Sequence, residues 1–185
     1  MELTETQDLK VRHLFTVYDT RNDGVLRRED YELLGHRVAT ERGFEPGSDE
    51  HERLTRYFLT TWERTKAIAD FSRDGQIALD EWVDFYEIVI CDPRAFEAVV
   101  GSLVDMMFDL FDFDENASLD REELASFRRA FGVEEADDGF FDELDIDGSG
   151  ALSTAELRTA IADFFCSEDP AAPGNHFFGR IEAFA

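Results

Sequence analysis

Cysteine is nearly absent: Cys91 and Cys166 are the only two in 185 residues, far apart and without a CxxC pair. That excludes a disulfide framework and a thiolate zinc site, and the expectation is two buried thiols in a reducing compartment. Histidine is equally sparse. His13, His36, His51 and His176 form no i, i+4 pair of the kind a helical zinc site needs, so each reads as a surface or packing residue. No GxSxG elbow and no GxxxxGK[ST] phosphate loop occurs, and the expectation is a protein without enzymatic activity. Basic residues are outnumbered, 18 Lys and Arg against 43 Asp and Glu, which leaves a formal net charge of −25. A surface so negative repels nucleic acid and anionic lipid and attracts cations. No run of eighteen apolar residues appears, and the start, MELTETQDLK, has neither a basic region nor an apolar stretch of signal-peptide type. A soluble, cytoplasmic monomer is expected, with no membrane insertion, and no segment identifies a protein target.

What the chain has in quantity is apolar residues, 43% of the total with 18 phenylalanines, and carboxylates set in a repeated pattern. In DIDGSGALSTAE, residues 145–156, oxygen-bearing side chains stand first, third, fifth and last, with glycine sixth and an aliphatic residue eighth. DFSRDGQIALDE at 70–81, DFDENASLDREE at 112–123 and a poorer copy, DTRNDGVLRRED at 19–30, repeat it. One such stretch could be an Asx-turn feeding a helix, and Ser153 to Glu156 could be a capping box on its own. Three good copies argue against that.

Calcium is a hard cation that takes six to eight oxygens at about 2.3–2.6 Å. A twelve-residue loop supplies them from the first, third and fifth side chains, the seventh carbonyl, the ninth position often through water, and a bidentate carboxylate at the twelfth. The sixth residue turns sharply at positive φ, which glycine does without steric penalty. This is the EF-hand pattern. The second loop offers Asp70, Ser72, Asp74, the Gln76 carbonyl and Glu81. The third offers Asp112, Asp114, Asn116, the Ser118 carbonyl and Glu123, with Asp120 ninth. The fourth offers Asp145, Asp147, Ser149, the Ala151 carbonyl and Glu156. Three calcium ions are therefore expected, with Mg²⁺ an alternative occupant in the calcium-free state.

Two loops depart from the pattern. The third carries Ala117 where glycine is expected, yet has six acids against one base and the densest negative charge. The first has Arg21 at the third position and Arg27 at the ninth, with Asp19, Asp23, the Val25 carbonyl and Asp30 as its remaining donors. An arginine beside a divalent ion removes a ligand and adds repulsion. Asp19, Asp23 and Asp30 are left with a weak ion or Mg²⁺ as the alternative to no ion.

Each loop should lie between helices. Apolar residues at helical spacing precede the second loop from His51 and the third from Asp92, with Asp92 as N-cap and Pro93 first in the helix. LDEWVDFYEIVIC and AELRTAIADFF follow the second and fourth loops. Leu26, Ile77, Leu119 and Leu152 stand eighth in their loops, where two loops side by side could pair through a few backbone hydrogen bonds. Loop starts at Asp19, Asp70, Asp112 and Asp145 make the first interval the longest. Its excess falls at Gly43, Pro46 and Gly47, which mark a turn between helices.

This unequal spacing, with the segment PGNHFFGR at 173–180, resembles the sarcoplasmic calcium-binding proteins and their relative calerythrin over essentially the whole chain. The resemblance implies an all-α fold of four EF-hand helix-loop-helix units in two pairs, residues 1–91 and 92–185, packed as one compact globule. It also implies a calcium buffer or carrier. A sensor that exposes an apolar groove to a target is the alternative. A small-molecule carrier of the coelenterazine-binding type is a third reading, for which the sequence offers Trp62, Trp82 and the phenylalanines. Methionine is confined to Met1, Met106 and Met107, too few for an adaptable sensor groove. Phe177, Phe178, Ile181 and Phe184 form an apolar tail expected to fold back between the two pairs rather than fray.

Overall fold

The helices start and stop where local chemistry instructs them. The computed structural model describes residues 2–133 and 139–181. Helix α1 (Glu5–Tyr18) leads through β1 (Val25–Leu26) to α2 (Arg28–Glu41), and α3 (Asp49–Ala69) through β2 (Ile77–Ala78) to α4 (Leu79–Cys91). Then α5 (Pro93–Phe111), β3 (Leu119–Asp120) and α6 (Arg121–Ala130) precede α7 (Phe140–Leu144), β4 (Ala151–Leu152) and α8 (Thr154–Cys166), and a 3₁₀ turn, Pro173–His176, follows. Ser48 caps α3 by accepting from the His51 amide, and Asp92 caps α5 by accepting from the amides of Arg94 and Ala95, with Pro93 at the first position as expected. The turn at Gly43 and Gly47 joins α2 to α3, both glycines at positive φ.

Loops pair as the eighth residues foretell. Strands β1 and β2 run antiparallel with Leu26 opposite Ile77, and β3 and β4 do so with Leu119 opposite Leu152; all four side chains are fully buried. The fold is all-α with four loops in two pairs.

The chain divides into two units, Val11–Tyr86 and Met1–Lys10 with Glu87–Ala185, so the division falls within α1 and α4. The Val11–Tyr86 unit is built on aromatics. Trp82 packs on Phe15, Tyr18 and Tyr86 at centroid distances of 6.1, 5.6 and 4.9 Å and donates its indole N–H to the Val11 carbonyl at 3.1 Å. Tyr31 lies on Trp62 at 5.4 Å. Helices α2 and α3 approach so closely at Gly35 that a Cβ there would sit 2.8 Å from the Thr55 Cα.

In the other unit the tail is packed. Phe177 and Phe178 are 1% and 2% exposed against Phe127, Phe140 and Phe164. Ile181 is buried too; Phe184 lies outside the described residues. Lys10 is fully buried, with Nζ donating to the carbonyls of Asp163 and Ser167 at 3.1 and 2.7 Å, a cation at the C-terminus of α8. The cysteines correct one expectation. Cys91 and Cys166 are exposed rather than buried, because each is the last residue of its helix, where the side chain leaves the packed face. No described helix is long and apolar enough to cross a membrane.

Candidate metal centres

All four loops share one scaffold, made by the first aspartate. Asp70 accepts the amides of Asp74 and Gly75 at 3.2 and 3.0 Å, and Asp112 those of Asn116 and Ala117 at 3.0 and 2.9 Å. Asp145 accepts from Ser149 and Gly150 at 3.0 and 2.8 Å, and Asp19 from Asp23 and Gly24 at 3.1 and 2.8 Å. Each carboxylate thereby satisfies two consecutive amides that no helix can pair, which winds the first half of the loop around it. The sixth residue takes positive φ in every loop: 82° at Gly24, 89° at Gly75, 85° at Gly150 and 62° at Ala117. The fourth residue does so too, at Asn22, Arg73, Glu115 and Gly148. The comb of oxygens gives no sign of that requirement, and only Gly148 and, more weakly, Asn22 signal it locally.

The twelfth residue folds back across the loop. One Glu81 oxygen accepts the Ser72 amide at 2.7 Å and the other the Ala78 amide at 2.9 Å. Glu123 does the same with Phe113 and Asp120 at 2.7 and 2.9 Å, and Glu156 with Ile146 and Ser153, both at 2.9 Å. Asp120 in turn accepts the amides of Glu122 and Glu123, and Ser153 that of Glu156. The ninth and twelfth residues of the third and fourth loops therefore form capping boxes as well, so the two readings of Ser153 to Glu156 coexist.

Convergence of the acids differs among loops. One oxygen each of Asp112, Asp114 and Glu123 lie within 4.8 Å of one another, as do those of Asp145, Asp147 and Glu156. Two oxygens bound to one calcium are at most about 4.6–5.2 Å apart, twice the ligand distance, so both groups fit a shared ion. Among the described residues only these two loops bring three such acids together. The second loop has Ser72 third, whose hydroxyl donates to Asp70 at 3.3 Å, while Asp74 takes hydrogen bonds from the Gln76 amide and side chain at 3.0 and 3.1 Å. Asn116 is held by Asp114 through its amide and its Nδ2, at 3.2 and 2.9 Å, and receives the Ser118 amide at 2.8 Å. The Ala151 carbonyl accepts from the Ser149 hydroxyl at 2.9 Å.

These bonds favour the ionised acids a cation needs. The Gln76 side chain lowers the pKa of Asp74, the Gly150 amide that of Asp145, and the Ser153 amide that of Glu156.

The first loop is closed differently. The Arg21 guanidinium turns inward and donates Nε and Nη2 to the two oxygens of Asp30, both at 3.1 Å, while Nη2 lies 3.2 Å from Asp23. Arg27 donates Nη1 to Asp23 at 2.7 Å and Nε to the Gln76 side chain of the second loop at 2.9 Å. The guanidinium thus pairs with two of the acids that the sequence left for a weak ion, and the repulsion expected between an arginine and a divalent ion in this loop stands.

Against known proteins, residues 115–161 match the sequence model of an EF-hand domain pair. Calerythrin of Saccharopolyspora erythraea is 25% identical over 84% of this chain and 89% of its own. The sarcoplasmic calcium-binding protein of Scylla paramamosain is 27% identical over 90% and 91%. Among solved structures, the calcium-loaded apo form of coelenterazine-binding protein from Renilla muelleri superposes with a TM-score of 0.72 at 23% identity, over 96% of this chain and 99% of its own. Residues 115–161 thus carry the sequence of an EF-hand domain pair, and the chain as a whole resembles calerythrin and the sarcoplasmic calcium-binding proteins.

Proposed function

We propose that the second, third and fourth loops each bind one calcium ion, through Asp70, Ser72, Asp74, the Gln76 carbonyl and Glu81; Asp112, Asp114, Asn116, the Ser118 carbonyl and Glu123; and Asp145, Asp147, Ser149, the Ala151 carbonyl and Glu156. The protein acts as a cytoplasmic calcium buffer or carrier. Calcium supplies no chemistry here beyond its charge; the chain's part is to hold deprotonated oxygens at the right distances. The observation that favours a buffer over a sensor is the buried tail, in which Phe177, Phe178 and Ile181 cover apolar surface that a sensor would offer to a target helix. The coelenterazine-type reading draws support from the shared fold. The aromatic rings of Trp62, Trp82, Tyr18 and Tyr31 nevertheless pack on one another, as an ordinary core does.

Calorimetric titration of the chelator-treated protein, with an apolar dye followed in parallel, tests this. Three tight sites and no rise in dye binding are expected. Glu81→Gln, Glu123→Gln and Glu156→Gln should each remove one site. Strong dye binding by the calcium-loaded protein would replace the buffer with the sensor, and a site count that survives all three substitutions would sink the ligand assignment.

A further inference from the structure

In the first loop the chain carries its own cation. The third, fifth and twelfth positions, which hold oxygen ligands in the other loops, are here Arg21, Asp23 and Asp30, and the guanidinium draws the two acids together. Asp30 is fully buried, and its oxygens also accept the Arg21 and Arg27 amides at 3.3 and 2.8 Å. Those amides occupy the positions that feed Glu81 from Ser72 and Ala78. Asp30 is one methylene shorter than the glutamate that ends the other loops, and the long arginine reaches out to meet it.

We propose that Arg21 is the permanent cation of the first loop. The loop closes without a divalent ion, and through its partner strand it pre-forms the second loop for calcium. A planar fork aimed at a buried carboxylate makes two parallel charged bonds, and a divalent ion entering the loop would have to break both and stand beside the displaced guanidinium as a like charge. The connection onward is continuous. Arg21 and Arg27 share Asp23, Arg27 bonds Gln76, and Gln76 bonds Asp74, the fifth residue of the second loop. Beside it, Val25 pairs with Ala78 and Leu26 with Ile77. The claim about the second loop rests on the three-site reading above; the claim about the first does not.

Amide hydrogen exchange on the full chain, with and without calcium, tests both. The Gly24 and Arg27 amides, bonded to Asp19 and Asp30, should be as protected in chelator as in calcium, whereas those of Gly150 and Ser153 in the fourth loop should gain protection on adding calcium. Arg21→Ala should cut protection at Gly24 and Arg27 by about 10²-fold, the low end of the loss that follows when one partner of a buried charge pair is removed, because Arg21 itself keeps 29% exposure. It should also weaken one calcium site, the second loop's, and leave the other two. Should that variant fail to fold, Arg21→Asp completes the oxygen set: a fourth ion then titrates, and protection at Gly24 becomes dependent on calcium. First-loop protection that vanishes in chelator in the native protein, or that Arg21→Asp retains in chelator, overturns the built-in cation. Lost protection in Arg21→Ala with all calcium affinities unchanged overturns the coupling. A failure of the second, third and fourth loops to take calcium appears in the titration and leaves the chelator result on Gly24 and Arg27 as an independent test of Arg21.

Discussion

Ala117→Gly should stabilise the protein, although it removes a methyl group and adds nothing. Ala117 sits at φ 62°, where the loop requires a left-handed residue. An L-residue pays about 1–2 kcal/mol for that conformation. Glycine escapes this cost but gives the unfolded chain more freedom, which takes back about 0.4–1 kcal/mol. The balance is a gain centred on about 0.8 kcal/mol, within the roughly 0–1.6 kcal/mol that the two ranges allow. The mirror experiment is Gly150→Ala. Gly150 lies at φ 85° with no atom within 4 Å of where a Cβ would stand, so any loss reports backbone conformation and not a clash. It should cost a comparable amount. Equilibrium denaturation at saturating calcium reads both differences. Calcium affinity of the third loop should rise only as far as the calcium-free loop relaxes out of the strained conformation, so stability and affinity separate the two contributions. If Ala117→Gly destabilises, or Gly150→Ala is neutral, the shared backbone requirement is wrong.

Other consequences follow from groups outside the loops. Lys10→Met leaves the Asp163 and Ser167 carbonyls without their buried donor and should cost about 1–3 kcal/mol in denaturant unfolding. Phe178→Ala removes a ring 5.0 Å from Phe164 and 5.2 Å from Phe177, and should cost about 3–5 kcal/mol and raise apolar-dye binding by the calcium-loaded protein. Burial raises the phenol pKa values of Tyr18, Tyr31 and Tyr86. A raised folded-state value means stability is complete below the ordinary phenol value of about 10 and declines as pH rises past it. Ultraviolet titration should then show these three phenols ionising only as the protein unfolds in alkali.

Loop geometry was legible because it is local. Twelve consecutive residues carry the donor set, so Asp70, Asp112 and Asp145 announced their loops, and Leu26, Ile77, Leu119 and Leu152 announced the pairing, with no reference to the rest of the chain. Caps are local for the same reason, and Asp92 and Pro93 placed the start of α5. The features that escaped depend on where a side chain ends up in space. Arg21 reads as an intruder until the burial of Asp30 is known, because only the direction of the guanidinium shows that it pairs with the loop's own acids. Lys10 looks like one more solvent-facing lysine, and only the arrival of α8, more than 150 residues later, turns it into a helix cap.

Gly174 is the sharpest instance of the same limit. In sequence PGNHFFGR signals only a resemblance, and what demands glycine in it is space: a Cβ there would stand 2.2 Å from the Ala160 carbonyl oxygen and 2.6 Å from the Asp163 Cβ. The 3₁₀ turn can therefore lie directly on the backbone of α8, and that contact delivers Phe177 and Phe178 to Phe127 and Phe164. A side chain at that one position would lift the turn off the helix and pull both rings away with it. The apolar tail is held in place by an absence of atoms as much as by the rings themselves.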